Sequence, residues 1–367
     1  MSRSDARELL TRLGASARPA GSSAEAAARE LCAERLRQAG FEVEERPFSY
    51  SAFPGLWGTP LAGAALLLTS VWTGLSLLRA EPPERPLERA LIVVLIIGLA
   101  GWWLGRYGTR RLPFMRREGL NLEARRGVPT VWLTAHLDSK SQPVSLLTRA
   151  AATVALCVGW GCLALVFGLS HFFRVPVAVP LSLITCTAIA ALLLSLAVVG
   201  TNGSGVLDNA TGVASIVVAA RELEGTTPIG LVITSAEELG LAGARAWVEG
   251  KPRAVAINCD GVDDIGTLSI TAGAPGRKLW RRHQVAGVFG PEVRIRESIP
   301  GVLLDSTAFS DRGWAACTIS QGTIRSLARI HTRRDGLDEC TGKGVDGAAR
   351  LIAALAGAII AEGKNSE

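Results

Sequence analysis

The chain has 367 residues and a formal charge of +6, yet only 20% of its residues are charged and its mean hydropathy is +0.29. That length leaves room for one large domain or two smaller ones with a sizeable core. So apolar a chain with so mild a basic excess points to a bilayer, and away from nucleic acid, as a partner.

In chain order, the N-terminal "MSRSDARELLTRLGASARPAGSS" has no apolar h-region, so no cleavable signal peptide is expected. "SSAEAAARELCAERLRQAG" reads as a helix with a serine cap and a closing glycine, and "FEVEERPF" alternates as a strand. Two long apolar stretches follow, 57–78 and 90–104, separated by "RAEPPERPLER". After the strands "LNLEARR" and "TVWLTAHLD" come two more, 150–173 and 177–200, separated by "HFFRVP". Each stretch is near the roughly 20 residues that cross a hydrocarbon layer of about 30 Å, the second being the shortest. Trp57, Trp102, Trp103, Phe172 and Phe173 stand at block ends, where interfacial aromatics gather. The expectation is four transmembrane spans in two hairpins, 57–104 and 150–200, set into a discontinuous domain of residues 1–50, 105–149 and 201–367. Arg106, Arg110, Arg111, Arg116, Arg117, Lys140 and Arg149 outweigh Arg79, Arg85, Arg89 and Arg174 of the short turns. The positive-inside tendency then puts the polar bulk of the chain in the cytoplasm.

Beyond the hairpins the pattern alternates. "ATGVASIVVAARELE", "LAGARAWVEG", "KLWRRHQVAGVFG" and "DSTAFSDRG" read as helices between the strands "PIGLVITSAEE", "AVAINCDG", "TLSITAG", "EVRIRES" and "AACTISQG". "GVDGAARLIAALAGAIIAEG" closes the chain; Asp346 and Arg350 within its helical period make it an amphipathic covering helix rather than a fifth span. The expected fold class is α/β, a mainly parallel mixed sheet sandwiched by helices. Seven cysteines, odd in number and without a CxxC pair, argue against a disulfide framework or a thiolate zinc site and fit a reducing compartment.

In such sheets, sites form beyond the carboxyl ends of the strands. His136 and Asp138 close "VWLTAHLD", Asp208 opens the helix after the fourth apolar stretch, Glu237 and Glu238 end "LVITSAEE", Asp260 ends "AVAINCD", and His331 follows the last strand in "ARIHTRRD". Singly each has an ordinary explanation: a satisfied strand-end histidine, an acidic group on a helix dipole, an Asx turn capping a helix. Together they form the imidazole and carboxylate set that zinc takes, with enough ligands for two ions sharing a bridging carboxylate. Strand alternation puts both side chains of HxD on one face, so Asp138 is expected to accept the ring N–H of His136. Of the adjacent glutamates, one can bind metal while the other faces water as a general base.

"HLDS", "LDNATG", "EELGLAGAR", "NCDG" and "HTRRD", in this order, resemble the family-28 metallopeptidases, a group of dizinc enzymes. The likeness covers most of residues 22–50 and 119–362 outside the apolar insertions. It implies one zinc held by His136, Asp208 and Asp260, a second held by Asp208, Glu238 and His331, Glu237 as the base, and Asp138 orienting His136. The implied activity is a membrane-anchored aminopeptidase acting on peptides, the hairpin before Asp208 holding the active-site rim near the bilayer surface. Where the family often has Asp-His, this chain reads Asp305-Ser306-Thr307. Two other readings remain: a glutaminyl cyclase-like enzyme with a single zinc, which "HLDSK" resembles, and a catalytically inactive membrane scaffold of the same fold.

Overall fold

Where short apolar runs alternate with polar turns the computed structural model forms strands, and where apolar residues recur every three or four positions it forms helices; it describes residues 3–79, 84–223, 225–298 and 302–364. Residues 80–83, the centre of the proline-rich turn, lie outside the described residues. The chain divides into two compact units, one of residues 1–50, 116–141 and 200–367, the other of residues 51–115 and 142–199.

The first unit is built on an eight-stranded sheet: β1 (Glu42–Ser51), β2 (Arg116–Arg126), β3 (Val131–His136), β4 (Ile229–Thr234), β5 (Val255–Val262), β6 (Thr267–Ala272), β7 (Arg294–Glu297) and β8 (Ala315–Gly322), ordered β1-β2-β4-β3-β5-β8-β6-β7. The central β4, β3, β5 and β8 run parallel, β2 and β6 are antiparallel to their inner neighbours, and β7 is parallel to β6. Every residue of β3 and β4 is buried, as parallel strands covered on both faces require. The fold is the α/β class expected from the sequence.

The helices are α1 (Arg3–Leu13), α2 (Ser23–Gln38), α3 (Thr59–Leu78), α4 (Glu84–Trp103), α5 (Thr109–Arg111), α6 (Leu146–Ser170), α7 (Ala178–Ser195), α8 (Thr211–Glu222), α9 (Ala242–Trp247), α10 (Ala274–Val285), α11 (Asp305–Ser310), α12 (Ile324–Arg329) and α13 (Lys343–Lys364). In the first unit, α2 begins at the serine read as its cap: Ser22 Oγ accepts from Glu25 N at 3.1 Å. Helix α8 is buried from Thr211 to Ala220 and packs between the sheet and α13. Val345, Ala348, Ala349, Ile352, Leu355 and Ala356 form the helical stripe that α13 presents to the same core.

The second unit holds α3 to α7. Its core is Leu77, Leu87, Leu156, Trp160, Leu163, Ile184, Ala191 and Leu194. Gly63 of α3 lies so close to the end of α7 that a Cβ there would stand 2.4 Å from Ser195 N. Helix backbones in apolar bundles approach at small residues in this way. The second apolar stretch runs further than its hydropathy suggests, since helix continues over 84–111. Glu84, Arg85, Glu88 and Arg89 are good helix formers that end an apolar count without ending a helix. Among the described residues, five helices are long and apolar enough to cross a membrane, the four stretches already noted and α13.

Candidate metal centre

The parallel centre of the sheet places the polar residues at one edge. His136 is the last residue of β3; Asp260 lies where β5 shifts register between Cys259 and Val262; Glu237 and Glu238 follow β4. Asp208 sits in the irregular turn Val206–Ala210 that leads into α8, and its peptide bond to Asn209 is cis. His331 comes after α12 rather than directly after the last strand, because the chain makes an extra helical segment beyond β8.

Two glycines make the Asp208 turn possible. Gly205 has φ +59°, and a Cβ there would meet Asp208 O and Ser139 Cβ, each at 2.5 Å. A Cβ on Gly212 would come within 2.4 Å of Cys259 O. Ala236, just before the glutamates, and His331 itself hold left-handed φ values of 56° and 63°. Non-glycine residues adopt that region at a cost of order 1 kcal/mol or more, which the surroundings must offset.

The side chains converge. His136 Nε2 stands 3.0 Å from Asp208 Oδ1 and 3.7 Å from Asp260 Oδ1, while His331 Nε2 stands 3.0 Å from Asp208 Oδ2 and 3.2 Å from Glu238 Oε1. Asp208 thus turns one oxygen to each imidazole. His136, Asp208 and Asp260 form one group whose ligand atoms all lie within 4.8 Å of each other, and Asp208, Glu238 and His331 form a second.

Asp138 differs from its expected role. The partner of His136 Nδ1 is the main-chain carbonyl of Asp138, at 3.0 Å, whereas the Asp138 carboxylate is 3.7 Å away. A carbonyl oxygen only accepts, so Nδ1 carries an N–H, and Nε2 is the nitrogen turned toward Asp208 and Asp260. The carboxylate is occupied elsewhere: it accepts the main-chain N–H of Glu237 at 3.0 Å and of Glu238 at 3.1 Å. Asp138 fixes the two glutamates through their backbone.

Four supports lack a strong sequence signal. Asp335 accepts from Leu207 N at 2.6 Å and Asp208 N at 3.1 Å; it ends the string "HTRRD", which gave it no role. Asn209 Nδ2 donates to Cys259 O at 2.9 Å and its Oδ1 accepts from Gly212 N at 3.1 Å, tying the Asp208 turn to β5. Arg18, 1% exposed, donates from Nε to Leu137 O and from Nη2 to Gly205 O, both at 2.9 Å, and so joins the two loops. Lys140 Nζ lies 2.5 Å from Glu238 Oε2.

Such crowding moves the protonation equilibria. Burial pushes Glu237 well above the usual carboxylate range, and the charges of Glu238, Asp305 and Asp260 add to this against His136. Burial would also raise Asp208, but the imidazoles of His136 and His331 beside its two oxygens outweigh that and hold it well below. Glu238 is brought down to about 2, the charges of His331 and Lys140 overcoming burial. Burial disfavours a charged His136, yet Glu237, Asp208 and Asp260 keep it well above its ordinary value. The pocket concentrates negative charge that calls for cations. His136 Nε2, His331 Nε2 and Glu238 Oε1 are buried and without a hydrogen-bond partner among the described residues. These are the atoms that a metal ion would satisfy.

The model of Peptidase family M28 matches residues 121–356. The chain belongs to this family. As an M28 peptidase it is a zinc-dependent hydrolase, and the donor set just described fits that metal. Among solved structures it is similar to an aminopeptidase from Aneurinibacillus sp. strain AM-1, with 12% identity, TM-score 0.56, and 96% of this chain and 93% of that one covered. It is also similar to a zinc aminopeptidase from Bacillus subtilis, with 13% identity, TM-score 0.55, and coverage of 96% and 94%. A glutaminyl cyclase from Porphyromonas gingivalis aligns with 13% identity, TM-score 0.53 and 98% of both chains. At these identities the likeness establishes the shared fold. No curated protein matches this M28 peptidase in sequence.

Proposed function

We propose that the chain is a membrane-anchored aminopeptidase with two zinc ions, one held by His136, Asp208 and Asp260 and the other by Asp208, Glu238 and His331. The observation that carries this reading is the pair of three-residue groups sharing Asp208. Zinc bound there supplies Lewis acidity toward a peptide carbonyl and makes water more acidic. Glu237 takes the proton of the attacking water and delivers it to the leaving amine; a carboxyl raised by burial suits both halves of that transfer. Asp138 holds Glu237 in place through its main-chain N–H. The main-chain carbonyl of Asp138 accepts from His136 Nδ1–H and so turns Nε2 toward the position flanked by Asp208 and Asp260.

The glutaminyl cyclase reading draws on one neighbour of the same fold and on Lys140 after the HxD motif. A single-zinc enzyme has no need of a carboxylate shared between two groups. Zinc content and substrate separate the two: the proposal expects two ions per chain and chelator-sensitive release of nitroaniline from aminoacyl-nitroanilides. One ion, with cyclisation of glutaminyl peptides, would replace it. Glu237→Gln should lower kcat by at least about 100-fold with zinc content unchanged; equal activity would remove Glu237 from the role of base. A catalytically silent scaffold would show neither activity.

The four helices over 54–78, 84–111, 146–170 and 178–195, with mean hydropathies of 1.8 to 2.1, support membrane anchoring. The arginines at 106, 110, 111, 116 and 117 support a cytoplasmic peptidase unit.

A further inference from the structure

The two cation positions have different electrostatic surroundings, and one difference is Lys140, which pairs with Glu238. The next residue, Ser141, is held by a local bridge: Ser141 N donates to Gly200 O at 3.0 Å, Gly200 N donates to Ser141 O at 2.7 Å, and Ser141 Oγ accepts from Asn202 N at 2.8 Å. From beside this bridge the Lys140 side chain, 11% exposed, reaches Glu238, and Nζ meets Oε2 at 2.5 Å. The other oxygen, Oε1, faces His331 Nε2 at 3.2 Å and has no hydrogen-bond partner among the described residues. One carboxylate is thereby divided, with one oxygen on the ammonium and one on the metal position. Among the described residues Lys140 makes no ion pair with Asp208 or Asp260.

We propose that Lys140 makes the two zinc positions unequal, weakening the ion held by Asp208, Glu238 and His331 so that it is acquired and lost on its own, according to zinc supply. This rests on the two-zinc reading above. Two effects act in the same direction. The ammonium offsets the charge that Glu238 brings to the ion, and it repels the ion directly in a pocket where charges are poorly screened. By holding Oε2, it also limits Glu238 to one ligand oxygen. The position formed by His136, Asp208 and Asp260 has no such competitor in Lys140 and fills first. Such a chain is half-loaded when zinc is scarce and completes its second position when zinc rises.

The test is zinc titration of the full-length protein in detergent against a chromophoric competitor, with thermal melts after each equivalent to check folding. Wild type should take up two ions in separate steps. Lys140→Met, which keeps the apolar stem and removes the charge, should tighten the second step by at least about tenfold, a modest effect for one unit charge beside a buried ion. Lys140→Arg, which keeps the charge, should leave two separated steps. A second step unchanged or weaker in Lys140→Met would overturn the proposal while leaving two ions in place. Failure of either protein to take a second ion at any zinc concentration would instead overturn the two-zinc reading on which it stands.

Discussion

Arg18 shows how far a single residue outside the ligand set governs the site. Its guanidinium is buried, its pKa brought down to about 10 by that burial, and it stays charged at neutral pH. It bonds the carbonyls of Leu137, between His136 and Asp138, and of Ser204 and Gly205, which lead into the Asp208 turn, while its own main-chain N–H donates to Ser139 Oγ at 2.9 Å. Losing several buried charge-assisted bonds at once should cost at least about 3 kcal/mol. Arg18→Met should therefore melt about 6–12 °C lower for a unit of this size and bind zinc more weakly; an unchanged melting temperature would mean that the loops hold themselves. Arg18→Lys, with one donor group in place of the fork, should recover only part of the loss. Nothing in "GASARPAGSS" marks a buried arginine, since an isolated charge in a polar turn is ordinarily solvated. The metal-binding candidates are legible for the opposite reason. Each is a residue type that zinc takes, standing at the end of a readable strand or turn. The HxD spacing brings Asp138 to His136, but spacing leaves open whether a carboxylate or a main-chain carbonyl meets the ring.

At the scale of elements, what the sequence makes visible follows from periodicity. β3 and β4 are continuous apolar runs and α8 and α13 carry apolar residues on every turn, so their kinds are readable. α1 is largely polar and α12 has only six residues, Ile324–Arg329, too short for a period to declare itself. The turn that carries Asp208 is controlled by close approach instead of propensity, and two alanine substitutions separate these influences. In α13, a Cβ on Gly357 would meet Leu223 Cδ2 at an ordinary 3.8 Å. Gly357→Ala should stabilise by about 0.5–1 kcal/mol through helix propensity alone. At the start of α8, a Cβ on Gly212 would lie 2.1 Å from Asn209 Oδ1 and 2.4 Å from Cys259 O. Gly212→Ala gains the same propensity, yet it should destabilise and weaken zinc binding, because main chain on the β5 side must move. Opposite signs in denaturant melts are expected; two stabilising substitutions would show that the turn is softer than its contacts require.

For the whole molecule the decisive question is what surrounds the second unit. Helices of a water-soluble core bury their apolar faces, as α13 does with half of its most apolar window. In the helix over 84–111 only 11% of that window is buried, and Ile92, Leu95, Ile96, Leu99 and Trp102 are all more than half exposed within the chain. The other three helices of the unit bury 28–39% of theirs. Apolar surface on that scale is costly in water and needs lipid or protein to cover it. Lipid is the cover that the proposed anchoring supplies, since each of these helices also has the length to span and the aromatic residues Trp57, Trp102, Trp103, Phe172 and Phe173 stand at the ends of the apolar stretches. The chain should remain with membranes after alkaline carbonate washing. A reporter inserted at 172–173 should face away from the cytoplasm, while one at the C-terminus, and one in the arginine-rich segment 109–117, should face it. A C-terminal reporter on the far side would reverse the orientation and place hydrolysis, and the zinc supply that Lys140 is proposed to sense, in another compartment. Release by carbonate would remove the bilayer and require a protein partner for the face of α4.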